Sequence, residues 1–492
     1  MNPSVSGKAV RLLFFLLVGA SIANAFAYAA TTAGWVPVSD NWYFLDRIVY
    51  PYAHGDLHAA DLLAKRGPLD HSQPLRRLLL LANYEWFGLD FRVEAIFAIL
   101  AGVLAFGLLV FGMRRELRAG NTTAGFFLVA MAAVYFSLSA PMVFTWSLLT
   151  LGFTSHFFLF LWLLAAWAVL EAPSPARASM LVLSTFLFGL VADDTALVAT
   201  IAAIIAGLLY GWRKTVGRDA ALVQIAACLL GIGLYLAFYK VAAPASIAVD
   251  ARTAALHGLD ANDLLSRVGG AWQWIMVPLS SALVHRATMQ SWFGDAGGIA
   301  SIMLGLACVF AHLWFWKKAF IGDCNRSAFM AVSIMLLFYG LVAGIVVGRV
   351  SEFGNDYLWQ PRYAFIYRWQ VLALLMMLVA QWPAMSARRP GAAWRHRFAV
   401  GLVSLLILLQ IPLAADAWRK ARYVRHANAQ MARQILEIGD DAAMRAPVKC
   451  AVQLIVCRFD DARRQRIVGF LEMQGLSVFS PEVRERNGYP ED

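Results

Sequence analysis

Residues 93–112 read VEAIFAILAGVLAFGLLVFG and run directly into Met113-Arg114-Arg115-Glu116-Leu117-Arg118. A bilayer core about 30 Å thick needs roughly 20 apolar residues as helix, so this stretch predicts a membrane span with a basic end. The rest of the chain repeats the pattern. Comparable runs fall at about 11–34, 123–140, 150–170, 179–192, 195–212, 220–239, 297–316, 328–348, 363–384 and 398–416, which makes about eleven candidate spans. Of 492 residues, 60% are hydrophobic and 15% charged, with a mean hydropathy of +0.61. That balance excludes an ordinary soluble protein and predicts an all-α polytopic membrane protein.

Basic residues punctuate every second loop: Lys8 and Arg11, then Arg114, Arg115 and Arg118, then Arg213, Lys214 and Arg218, then Lys317 and Lys318, then Arg388, Arg389, Arg395 and Arg397. The positive-inside rule makes that side cytoplasmic, the amino terminus with it. Eleven spans then put the carboxyl terminus, from about Trp418, outside. The loops at Asp40 to Trp86, at Asp193, at Lys240 to Gly298 and at Arg349 to Arg362 are expected on the same outer face. Lys8, Arg11 and Ala23-Asn24-Ala25 resemble a signal peptide, but the apolar run continues to Trp35 and its removal breaks the loop parity, so an uncleaved anchor is expected. Much of the net charge of +11 belongs to cytoplasmic loops and anionic lipid. Membrane lipids are expected partners and nucleic acid is not.

The polar chemistry gathers in the first outer loop, which carries Ser39-Asp40-Asn41-Trp42-Tyr43, His54-Gly55-Asp56 and Asp70-His71-Ser72-Gln73-Pro74-Leu75. Leu75, Leu78, Leu79, Ala82 and Trp86 fall at helical spacing after Pro74, predicting an amphipathic interfacial helix whose Arg76 and Arg77 are available to phosphates. Ala192-Asp193-Asp194-Thr195 places two adjacent acids at or just inside the outer surface. A stretch from Trp272 to Leu283, interrupted by Pro278, reads as a dipping helix. The tail from residue 418 to 492 is expected as a small mixed α/β segment, with helices near Ala421–Ile438 and Asp460–Gln474 and a β-like run at Cys450–Cys457. Too short for a core of its own, it is expected to pack on the outer loops. Cys450 and Cys457 are an even pair for which a disulfide is open.

The layout of an acid just after the first span, short interfacial helices, His71-Ser72-Gln73-Pro74-Leu75, a Leu-rich helix ending in Trp86-Phe87-Gly88 and then a span resembles the GT-C superfamily of membrane glycosyltransferases. The protein mannosyltransferases and aminoarabinose transferases are members. Gly348-Arg349 followed by Pro361-Arg362-Tyr363 is similar to the Arg-Tyr element opening a late span in bacterial members. The likeness covers about residues 10–420. Asn41 stands where many members carry a second acid, and the His element is looser than His-Pro-Pro-Leu.

The resemblance implies a GT-C-like domain over residues 1–417, with the active site in the loop 35–91. It implies a glycosyltransferase in a bacterial inner membrane that takes a sugar from a polyprenyl-phosphate donor to a glycan, lipid or protein acceptor on the periplasmic face of the cell envelope. Inverting transfer needs a carboxylate base, for which Asp40 is the candidate; the same Asp also suits an ordinary helix N-cap. Asp70, His71 and Gln73 are candidates for sugar or acceptor binding, or for capping the helix after Pro74. Asp193 and Asp194 supply a second acid or a hydrated turn. Arg349 and Arg362, with Tyr363, are the candidate ligands of the carrier phosphate, or plain anchors of span ends. No cofactor and no metal is expected. A transporter or flippase for a lipid-linked sugar, an O-antigen polymerase or ligase, and a non-catalytic glycan-binding member are the alternatives.

Overall fold

The computed structural model describes residues 3–65, 71–119, 121–147, 151–243, 266–386 and 392–487. Asp70, Arg388 and Arg389 of the sequence reading, and most of the outer loop between Lys240 and Gly298, residues 244–265, lie outside the described residues. Among the described residues the chain is helical throughout and has no strand.

The principal helices are α1 (Pro3–Thr32), α2 (Asn41–Phe44), α3 (Tyr50–Ala53), α4 (Pro74–Phe87), α5 (Phe91–Gly112), α6 (Arg114–Ala119), α7 (Asn121–Tyr135), α8 (Met142–Thr145), α9 (Gly152–Glu171) and α10 (Pro175–Ala192). They continue with α11 (Asp194–Trp212), α12 (Arg218–Ala242), α13 (Ala271–Ser281), α14 (Arg286–Phe293), α15 (Gly297–Ile321), α16 (Arg326–Ile345), α17 (Ala364–Ser386), α18 (Ala392–Asp440), α19 (Asp461–Met473) and α20 (Pro481–Arg486). Among the described residues ten helices are long and apolar enough to cross a membrane, and the shorter apolar stretch Thr123–Tyr135 of α7 lies at the third expected position, the one those ten leave out. The protein is a multi-pass membrane protein.

Alternate helix ends meet on common faces. On one, Arg115 pairs with Glu171 at 2.7 Å, Ser327 donates to Glu116 at 2.9 Å, and Arg213 Nη1 donates to the Ala319 carbonyl at 2.7 Å. On the other lie the long first loop, the α10–α11 turn, the segments around α13 and Arg349–Tyr363, and the tail.

The first loop is a structured cap. α2 continues through a π-helical turn, Leu45–Val49, into α3. α4 begins with Pro74, whose missing N–H costs nothing at a helix start, and stops at Gly88, whose φ of +59° is open to glycine. Of its apolar stripe Leu78 and Trp86 are exposed, and Leu75, Leu79 and Ala82 are half-buried. The arginines turn the other way. Arg77 is buried and caps the carbonyls of Asp61, at 2.8 Å, and Ala64, so it is not available to lipid phosphates as the stripe alone suggested. Loop carbonyls enclosed beneath the helix need donors, and the guanidinium supplies two.

The tail corrects a second expectation. α18 runs unbroken for 49 residues from the bundle to Asp440, and Cys450–Cys457 forms a disulfide-closed turn with a short 3-10 helix, Ile455–Arg458, instead of a strand. No neighbouring strand offers a ladder there. The backbone groups go instead to Gln434, whose amide takes the Lys449 carbonyl at 2.9 Å and the Ala451 N–H at 3.0 Å. The tail shares a core with the first loop, where Trp42, Leu45 and Val49 pack with Ile435, Leu454 and Phe470. At its edge Asp46 is gripped by Arg463 and Arg466, each at 2.6 Å.

Candidate functional site

Asp193 sits between α10 and α11 with φ +45° and ψ −117°, a conformation that breaks one span and starts the next. The break aims its carboxylate at the first loop. Oδ2 receives the Ser72 N–H at 2.8 Å and the Lys65 ammonium at 2.8 Å, and Oδ1 receives the Tyr235 hydroxyl of α12 at 2.6 Å. Asp194 lies 3.0 Å from His71 Nδ1 and 3.9 Å from Lys65. Burial pulls the Lys65 pKa down, but the hydrogen bond and charge of Asp193, with Asp194, more than offset it, so the ammonium is held above its ordinary value of 10.5.

His71, Asp193 and Asp194 thus come together, with ligand atoms within 4.8 Å of one another, a spacing able to hold a metal ion. Lys65 already supplies a positive charge there. Gln73 stands just before α4, its carbonyl accepting the Arg76 and Arg77 N–H groups at 3.1 and 3.3 Å. Asp70 lies outside the described residues.

Asp40 is half-buried at the start of α2, and its carbonyl accepts from Tyr43 and Phe44 at 3.0 and 3.3 Å. Its neighbours are held on both sides. Ser39 N–H donates to the Gln453 carbonyl of the tail at 2.8 Å, and Asn41 Nδ2 donates to Ser147 Oγ at 3.1 Å. Ser147 also hydrogen-bonds the Glu94 carboxylate, which accepts from Asn83 at 2.9 Å. A buried carboxylate therefore lies two hydrogen bonds from the residue beside Asp40.

A polar seam descends from this point between α9 and α17. Arg76 reaches Gly152, where an added Cβ would stand 3.8 Å from its Nη2 and 3.2 Å from Phe365. Burial pushes its guanidinium down to about 10, against the pull of Glu94. One turn on, His156 stacks on Phe365 at 4.7 Å and meets the Tyr135 hydroxyl at 3.0 Å. Deeper still, Arg368 donates to Ser139 Oγ at 2.9 Å.

The third group gathers Arg349, Arg362 and Tyr363. Arg349 ends a second π-helical turn, Val346–Val350, and lies within electrostatic reach of Tyr363. The Arg362 guanidinium hydrogen-bonds the Tyr357 hydroxyl and lies over the Tyr357 and Tyr363 rings at 5.5 and 5.2 Å. Tyr235, Glu94 and Arg368 are site residues that sequence reasoning missed. A signal existed for two of them, since Glu94 and Arg368 are charges inside apolar spans, a placement that marks function by default.

The fold and these clusters define a polytopic helical membrane protein with its ionisable groups collected toward the loop-bearing face. No protein-family model matches the chain, and no curated protein or solved structure is significantly similar to it.

Proposed function

We propose that the chain is a GT-C-type membrane glycosyltransferase that moves a sugar from a polyprenyl-phosphate donor to a glycan, lipid or protein acceptor. The observation that carries this reading is the mounting of Asp40. The candidate base sits on a helix start tied to the tail through Ser39, to α5 through Asn41, Ser147 and Glu94, and to α19 through Asp46. A base held in one geometry is what proton abstraction from an acceptor hydroxyl requires.

In this mechanism the Asp40 carboxylate takes the acceptor's proton as its oxygen attacks the anomeric carbon, and the bond from that carbon to the carrier phosphate breaks. Arg349 and Arg362 meet the charge left on the phosphate. His71 and Asp194 border the sugar or acceptor, with Asp193 beneath them and Gln73 beside them; Asp70, the residue before His71 in the chain, stays a candidate for the same role. The loop-bearing face is the periplasmic face of a bacterial inner membrane, the amino terminus cytoplasmic and the carboxyl terminus periplasmic, in keeping with the basic residues of the opposite face.

The test is transfer of radiolabelled sugar from a panel of polyprenyl-phosphate donors to total envelope acceptors, wild type against Asp40→Asn at equal membrane levels. Loss of labelling in the variant supports the reading. Equal labelling removes Asp40 from the chemistry, and no labelling by either protein with any donor favours the flippase or binding alternatives.

A further inference from the structure

Arg368 stands in α17 with only 4% of its surface exposed, and neither its Nε nor its Nη1 finds a partner among the described residues. Its one hydrogen bond, from Nη2, goes to Ser139. A guanidinium cannot shed its proton, and a buried charge at membrane depth is retained where it meets an opposite charge. On one side Arg368 borders a cavity of about 10 Å³ walled by Tyr135, His156, Phe365 and Trp369. That space holds a single water at most, and water does not neutralise the charge.

The other side is different. Ser139 also lines a pocket of about 250 Å³ bounded by Met142, His285, Pro361, Asp416 and Lys420. The one carboxylate on its wall among the described residues, Asp416, is already engaged by Lys420 at 2.6 Å and Arg419 at 3.4 Å. His285 is already engaged, with Nε2 on the Trp359 carbonyl at 2.7 Å and Nδ1 accepting from the Ala287 N–H at 3.2 Å. On the wall itself Lys420 and Asp416 answer each other, Arg368 stands behind Ser139 through its hydrogen bond, and Arg362 follows Pro361 in the chain.

We propose that this pocket binds a phosphate monoester or diester, with Ser139 as its direct ligand and Arg368 behind Ser139 as the cation that meets the anion's charge. In naming a polyprenyl phosphate as the natural ligand, the proposal rests on the donor reading above. It adds Ser139, Lys420 and Arg368 to Arg362 as the phosphate end of that site. A headgroup entering beside α18 turns Ser139 Oγ toward itself and opens the Nη2 and Nη1 edge of Arg368 to its oxygens, in the forked geometry arginine offers to phosphates.

The experiment is direct binding of a polyprenyl monophosphate, and of the matching polyprenol, to the full-length purified protein in detergent, followed by native mass spectrometry. Wild type is expected to prefer the phosphate by tenfold or more. Arg368→Gln is expected to erase that preference. Ser139→Trp, which fills the pocket and keeps Arg368, is expected to do the same and carries the test if the arginine variant fails to fold. Competition by inorganic phosphate assigns recognition to the anion alone, and its absence assigns it to the headgroup with its chain; both fit the proposal. Wild type that binds the two lipids equally, or neither, overturns it, as does Ser139→Trp with wild-type preference. Sugar transfer is not read, so a phosphate-binding protein that transfers nothing would sink the glycosyltransferase reading and leave the pocket standing.

Discussion

The Lys65 ammonium lies 2.8 Å from the Asp193 carboxylate and thereby joins the first loop to the turn between α10 and α11. Asp193 is 5% exposed at its side chain and Lys65 22%, so the pair is sheltered enough to count. Because Ser72 and Tyr235 fill the remaining acceptor positions, Asp193 acts as a fastener for the approach to α4. Asp193→Ala strands three donors at once, one of them charged. A loss of about 3–5 kcal/mol is expected, read as a lower melting temperature in detergent and as new protease sensitivity between α3 and α4. An unchanged melt would show that the loop is held elsewhere.

The same pair fixes a pH dependence. The Lys65 pKa is raised in the folded protein above its ordinary 10.5. A raised folded pKa means that its contribution is complete below the unfolded value and is lost as pH rises through the folded one. Lys65→Met is therefore expected to lower stability by about 1–3 kcal/mol, by the same amount across neutral pH. The gap to wild type should close only above pH 10.5. Melting curves of both proteins between neutral and strongly alkaline pH measure it, and a gap that narrows near neutrality contradicts the assignment.

Glu94 gives a third expectation. It accepts from Asn83 and Ser147, and Ser147 accepts from Asn41. Glu94→Ala leaves those donors buried and unpaired, a cost of about 2–4 kcal/mol, whereas Glu94→Gln keeps the shape and one acceptor and should cost about half as much. Hydrogen exchange through residues 41–49 is expected to rise in the alanine variant. If exchange there is unaffected, the Ser147 link does not order the start of α2.

The spans were legible because length and apolarity decide them: 492 residues at 60% hydrophobic leave few other ways to fold, and each expected run contains a helix. The exposure of Leu78 and Trp86 on α4 was legible from their spacing. What escaped reading depends on partners far off in the chain. Nothing local to Asp46 announces Arg463 and Arg466, and nothing near Asp193 announces Tyr235 and Ser72. Arg77 looked like a lipid-facing cation because the carbonyls it caps, those of Asp61 and Ala64, lie in irregular backbone that carries no pattern. The run Cys450–Cys457 has β-forming residues, but a strand exists only where another strand pairs with it.

The tail's hold on the first loop yields the last prediction. Ser39 keeps a φ of +54° and gives its N–H to the Gln453 carbonyl at 2.8 Å, inside the turn closed by Cys450 and Cys457. A non-glycine residue in that region needs outside support to stay there, and here the support is a carbonyl whose own position depends on the bridge. Closing so short a loop limits the unfolded chain by about 2.5 kcal/mol on the loop-entropy account. The paired change Cys450→Ser with Cys457→Ser should lower stability by roughly that amount. It should also speed exchange of the Ser39 amide, while fully buried residues of the shared core such as Ile435 and Val468 keep their protection. The local effect separates two accounts of the tail. If the Ser39 amide is released and the core is not, the bridge positions the segment carrying Asp40. If both loosen together, the bridge serves the tail's fold as a whole, and Ser39 is held by the packing of Trp42 and Leu45 against it.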